Sequence, residues 1–141
     1  MEKYSSSQAL TILTILVQVI TLATARHCIV GNPITVYIVS YLPRQSPTLQ
    51  VHCASKEDDL GNHTLGTYQQ FMFDFCTNYH NTLFYCDMSW GPKQIHFTAF
   101  EAKPFRSGCQ DFTCYWAAKD DGLYYSDYNP PRGLLKKFDW S

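Results

Sequence analysis

Beyond residue 33 the chain is a succession of short runs rich in β-branched and aromatic residues, each closed by turn formers. The first run, residues 34–42 (ITVYIVSYL), ends at Pro43 and the polar RQSP. Leu49, Val51 and Cys53 alternate with Gln50, His52 and Ala54, the period of two expected of a half-buried strand. The polar stretch SKEDDLGNHTLG (55–66) reads as a loop. In TYQQFMFDF, Phe71, Phe73 and Phe75 share one face, with Gln70, Met72 and Asp74 on the other. TLFYCDM supplies a fourth strand, stopped by the turn SWGP. QIHFTAFEA sets Ile95, Phe97 and Ala99 opposite His96, Thr98 and Phe100. FTCYWAAK and LYYS follow, joined through Asp120-Asp121-Gly122, where a D-G step signals a hairpin. The expected fold is small and all-β, an antiparallel β-sandwich or barrel of about seven or eight strands, and antiparallel because buried parallel strands would be apolar throughout.

Residues 1–25 have a different pattern. A polar start carrying Lys3 precedes an apolar stretch from Ala9 that ends in Ala23-Thr24-Ala25. That order predicts a secretory signal peptide over 1–25, cut before Arg26, and one domain over 26–141. A transmembrane anchor needs about 20 strongly apolar residues. This run is shorter and broken by Thr11, Thr14, Gln18, Thr21 and Thr24, so no transmembrane anchor is expected. Secretion gives six cysteines, Cys28, Cys53, Cys76, Cys86, Cys109 and Cys114, a disulfide role. No C-x2-C pair supports zinc. Hydrophobic residues are 45% and charged residues 16% of the 141, which excludes a charge-solvated disordered chain. A net charge of -1 gives no field for nucleic acid or anionic lipid.

Catalytic chemistry finds little support. The histidines His27, His52, His63, His80 and His96 form no HExxH pair, and neither G-x-S-x-G nor a P-loop occurs. A thiol nucleophile would need a histidine beside it, as in His52-Cys53 or His80 with Cys76, but each cysteine has a structural use in a secreted chain. Glu57, Asp58 and Asp59 lack the calcium-loop ladder, so no metal and no cofactor is expected. Asn62-His63-Thr64 is an N-glycosylation acceptor, giving Asn62 as a modification site.

The string VHCASKEDDLG (51–61) closely resembles the signature of the plant self-incompatibility proteins and their S-protein homologues. The resemblance runs on through Asn62-His63-Thr64-Leu65, FMFDF, TLFYCDMSW and the block CQDFTCYWAAKDDGLY (109–124), where Trp116, Asp121 and Gly122 fall on the pattern of the final hairpin. Ser40 stands where members usually have Asn. The resemblance implies a β-sandwich in which Cys53, Cys86, Cys109 and Cys114 form two disulfides, with Cys53–Cys114 and Cys86–Cys109 as the expected pairing. Cys28 and Cys76 lie outside the pattern; they pair with each other or leave one free. It also implies a secreted extracellular signalling ligand of the apoplast rather than an enzyme, bound by a membrane receptor on another plant cell. In poppy such proteins act from the stigma to block self pollen. Alternatives are a defence or membrane-active protein, which needs a basic or apolar patch, and a cell-wall enzyme, which needs titratable groups converging in a cleft. Recognition is expected in loops 43–48, 55–66, 77–81 and 103–111, with Lys56, Glu57, Asp58, Asp59 and Arg106 as candidate contacts.

Overall fold

β-branched and aromatic side chains fit pleated, half-buried surfaces. In the computed structural model they build nine strands among the described residues, which are 7–8, 27–78, 81–102 and 109–141. The expected signal peptide (apart from Ser7 and Gln8), His80 and Arg106 lie outside the described residues. The strands are β1 (Pro33–Ser40), β2 (Leu49–Ala54), β3 (Asp59–Leu65), β4 (Gln70–Cys76), β5 (Leu83–Trp90), β6 (Lys93–Glu101), β7 (Thr113–Lys119), β8 (Gly122–Ser126) and β9 (Leu135–Phe138). They form two sheets, ordered β4-β1-β7-β8-β9 and β3-β2-β5-β6. The small β-sandwich that the resemblance implies, one of the two architectures the alternation allows, is therefore present.

Three expectations need correction. The sandwich is not wholly antiparallel, because β1 and β7 pair in parallel, Val36 opposite Cys114 and Ile38 opposite Trp116. Both strands are covered on their two faces, so their apolar runs carried the parallel pattern within an otherwise alternating chain. The stretch 55–66 is not all loop. Residues 59–65 are β3, an edge strand that among the described residues pairs with β2 alone, and an edge position lets so polar a sequence join a sheet. Phe100 does not share a face with His96 and Thr98. Phe84 pairs with Phe100 but Tyr85 with Thr98, so a bulge at Ala99 turns both Ala99 and Phe100 inward.

Inside, Ile34, Val36 and Ile38 of β1 face Leu49, Val51 and Met88 of the other sheet in one buried cluster. Aromatic rings fill its two flanks. Phe75 lies 4.4 Å from Phe84 and 5.1 Å from Phe100, centroid to centroid. Trp116 lies 4.8 Å from Phe97 and 4.7 Å from Tyr125, and its indole N–H donates to the Ala99 carbonyl at 3.2 Å. This last bond ties the two sheets together through a side chain.

The β7–β8 hairpin is present, with Lys119 paired to Gly122 across the two-residue loop Asp120-Asp121. Gly122 is therefore the first strand residue rather than part of the turn. A Cβ there would sit 2.3 Å from the Phe138 carbonyl oxygen, so glycine permits β9 to approach β8. The chain then crosses to the second sheet. Ser141 and Gln94 exchange backbone hydrogen bonds at 3.0 and 3.1 Å, and the Trp140 indole donates to the Lys119 carbonyl at 2.8 Å.

The disulfides are Cys28–Cys76, Cys53–Cys86 and Cys109–Cys114, with no free thiol among the described cysteines. This corrects the expected Cys53–Cys114 and Cys86–Cys109 pairing. Cys53 and Cys86 are direct cross-strand neighbours on β2 and β5, their Cα atoms 4.1 Å apart, so each sulfur meets a partner in its own sheet. Cys109 and Cys114 close a five-residue step leading into β7. Cys28–Cys76 fastens the segment before β1 to the end of β4, where Gly31 is packed on the Thr77 carbonyl.

Two outcomes test this fold. Non-reducing peptide mapping should recover the three pairs above, and a Cys53–Cys114 peptide would refute the assignment. Trp116→Ala should lower stability by about 3–5 kcal/mol in denaturant unfolding. A loss below about 1 kcal/mol would show that the indole is not a core element.

Candidate recognition surfaces

The stretch 51–61 folds as a locked hairpin. Val51 and Cys53 point into the core, and Cys53 is covalently held to β5. After β2, the Ser55 N–H donates to the Asp58 carbonyl at 2.7 Å and the Asp58 N–H donates to Ser55 Oγ at 3.0 Å. This closed turn leaves Lys56, Glu57 and Asp58 exposed at its tip. Asp59 does something else. Its Oδ1 accepts the Gly61 N–H at 2.9 Å and lies 2.6 Å from His52 Nε2. These bonds, Gly61's first, hold the Asp59 carboxyl below the usual range. Gly61, at φ 80, supplies the backbone turn that aims its N–H at the carboxylate. Four of the expected contact residues thus lie together, but Asp59 is a clamp and only its three neighbours are free to meet a partner.

Asn62 is exposed on β3, directly opposite His52, and the row continues through Asp87 on β5 to His96 on β6. His96 Nδ1 lies 2.5 Å from Asp87 Oδ1. This row is polar, while Leu83 and Tyr85 of β5 are exposed on the same outer face nearer the 55–58 end. Among the described residues no three His, Cys, Asp or Glu side chains converge as metal ligands. No helix among them is long and apolar enough to cross a membrane.

The expected loops separate to opposite ends of the sandwich. Segment 41–48 lies with 66–69, Gly91-Pro92 and Asp120-Asp121, where Trp90 Nε1 donates to Ser46 Oγ at 3.2 Å. Residues 55–58 share the other end with 77–78, 81–82 and 109–112. The rest of 77–81 and of 103–111 lies outside the described residues.

A surface that sequence reasoning missed covers the outer face of the sheet containing β1. Tyr37 and Val39 from β1, Tyr115 and Ala117 from β7, and Tyr124 from β8 form a second apolar cluster, joined by Tyr41 and Leu134. The Tyr41 and Tyr115 hydroxyls are 2.8 Å apart. Burial, and then that bond, push the Tyr115 phenol well above its usual range. Lys119 Nζ sits 4.5 Å over the Tyr124 ring, whose hydroxyl donates to Asp121 at 2.7 Å. The available signal was that residues 34–42 and 114–118 are apolar on both faces, which a one-sided strand does not require.

Fold and surfaces together define a small disulfide-stapled β-sandwich with a polar histidine-aspartate row on one outer face and a tyrosine cluster on the other. The family model of plant self-incompatibility protein S1 matches residues 35–140, and the chain belongs to that family. It is 35% identical over 82 residues to self-incompatibility protein S1 of Papaver rhoeas, covering 57% of this chain and 59% of that protein. It is 38% identical over 77 residues to S-protein homolog 5 of Arabidopsis thaliana, covering 54% and 59%. With S-protein homolog 21 of Arabidopsis thaliana it shares 33% over 101 residues, or 67% and 74%. The chain spans under two thirds of the length of the first two of these relatives. No solved structure matches it significantly.

Because the folded Asp59 carboxyl titrates below its unfolded range, its contribution to the 55–61 hairpin is present above that range and is lost as pH falls through the lowered value. The protection factor of the Gly61 amide, its exchange rate set against the intrinsic rate at the same pH, should fall on such acidification and in Asp59→Ala at neutral pH. Unchanged protection in Asp59→Ala would contradict the clamp.

Proposed function

We propose that the protein is a secreted signalling ligand of the self-incompatibility class, recognised by a membrane receptor on another plant cell. The observation that carries this reading is the exposed tip Lys56-Glu57-Asp58, held on a backbone locked by Cys53–Cys86, the Ser55 turn and the Asp59 clamp. A charged tip on a fixed backbone loses little conformational entropy when a partner docks, so its contacts translate into affinity. Its two acids and one lysine, in a defined order, give specificity through charge complementarity. Family membership supports the signalling role, and the 1–25 leader pattern supports export before Arg26. One relative carries the name self-incompatibility protein S1, and rejection of self pollen is the particular signal proposed here.

Asn62 fits export as well. A glycan on this exposed position of an edge strand would cover an unpaired row of backbone groups, which otherwise invites strand-to-strand association. Arg106, in the same β6–β7 connection as the turn before β7, is proposed as a further contact.

In a secreting plant host, intact-mass analysis should show Arg26 as the first residue and a mass excess that N-glycosidase removes and Thr64→Ala abolishes. Retention of residues 1–25 on the exported protein would overturn the processing claim. Labelled protein should bind pollen or other plant membranes saturably. Lys56→Glu and Glu57→Lys should each weaken that binding at least tenfold while shifting stability by no more than about 0.5 kcal/mol. Binding indifferent to both substitutions and to Arg106→Glu would defeat the loop reading. Pistil-restricted expression would support pollen rejection, and root- or seed-restricted expression would count against it.

A further inference from the structure

Tyr68 has a backbone conformation that its residue type disfavours. It sits in the turn 66–69, where the Gln69 N–H donates to the Gly66 carbonyl at 3.0 Å, and its φ is 62. Positive φ at that turn position normally belongs to glycine or asparagine, and for a bulky side chain it is strained. The strain is enforced from below. The Tyr68 N–H donates to the Ser40 carbonyl at 2.6 Å, Thr67 Oγ1 donates to the Leu42 carbonyl at 2.7 Å, and the Gly66 N–H donates to Gln69 Oε1 at 2.7 Å. Burial gives nothing back, since the residue is 70% exposed. Strained residues of this kind gather at ligand clamps.

The surroundings have the form of a site. Tyr68 meets Tyr41 edge-on at 5.8 Å, and Tyr41 is fixed by its hydroxyl bond to Tyr115. Between them and the β7–β8 hairpin runs an open groove of about 350 Å³, walled by Arg44, Thr67, Lys119 and Asp120. That volume is at the lower end of small-molecule sites, about 300–1,000 Å³.

The lining selects the ligand. An exposed phenol face takes the C–H face of a pyranose ring. Asp120 accepts from ring hydroxyls, and a guanidinium pairs with a planar carboxylate. Lys119 is drawn towards Asp121 beside the groove, so Arg44 is the lining cation that offers its charge to a ligand carboxylate. A wholly apolar ligand would strip water from three charged groups without repaying them. We propose that the groove between Tyr41, Arg44, Tyr68 and Lys119-Asp120 binds a uronic-acid unit of an extracellular polysaccharide. An extracellular ligand rests on the export proposed above, but this binding surface is at the opposite end of the sandwich from the 55–58 tip, so receptor binding and sugar binding are tested separately.

The test is a chemical-shift and calorimetric titration of the disulfide-intact protein with trigalacturonate, beside neutral trigalactoside. Trigalacturonate should shift amides of 41–44, 66–69 and 119–121 and bind at least tenfold tighter than the neutral sugar. Arg44→Gln should erase that preference. Tyr68→Gly, which relieves the positive φ, should keep or raise the melting temperature while weakening binding at least tenfold. No titration at millimolar trigalacturonate, equal affinity for the two sugars, or wild-type affinity in Tyr68→Gly would overturn the proposal.

Discussion

The parallel pairing of β1 with β7 is the constraint on which the rest of the structure depends. A parallel pair cannot be closed by a hairpin. Here most of the chain intervenes, and β2, β3, β5 and β6 fold as the opposing sheet before β7 returns beside β1. Once those two strands lie together, their inward residues, Val36 with Cys114 and Ile38 with Trp116, set one wall of the core. Their outward residues, Tyr37 with Tyr115 and Val39 with Ala117, bring the tyrosines into one patch.

The two outer faces then acquire different chemistry from one alternation rule. On the sheet of β2 and β5 the outward positions include Gln50, His52 and Asp87, which suit water, beside exposed Leu83 and Tyr85. On the sheet of β1 and β7 they include Tyr37, Tyr115 and Tyr124, of which Tyr115 is buried with its hydroxyl bonded to Tyr41 and Tyr124 donates to Asp121. Loops are divided in the same way. Parallel β1 and β7 end at one edge, which places the 41–48 connection and the β7–β8 turn around Tyr68, while the charged 55–58 tip is carried to the far edge.

Much of this was legible in the sequence because burial on a strand is periodic. Phe73 and Phe75, or Leu49, Val51 and Cys53, announce their faces directly. What failed to show has physical causes. β3 carries Asp, Asn and His because an edge strand needs little apolar surface, so composition made it look like a loop. The inward turn of Phe100 depends on a bulge set by its partner strand, which no local pattern records. Cysteine pairing depends on register between β2 and β5, and that is a tertiary property. Of the candidate contacts named from the signature, Lys56, Glu57 and Asp58 are exposed at a turn and Asp59 holds the backbone, whereas Tyr68 gave no signal at all, since its distinction is a dihedral angle.

Much of the signature thus works for the scaffold: Cys53 crosslinks, Ser55 closes a turn, and Asp59 and Gly61 fix the start of β3. The account rests on β1 and β7 forming one cooperative unit, and native-state hydrogen exchange of the disulfide-intact chain measures that most directly. It predicts that the hydrogen-bonded amides within Val36–Val39 and Tyr115–Ala118 are the most protected in the protein and open together at the free energy of global unfolding. Exchange of the β7 amides through a smaller opening, with β1 still protected against β4, would contradict it.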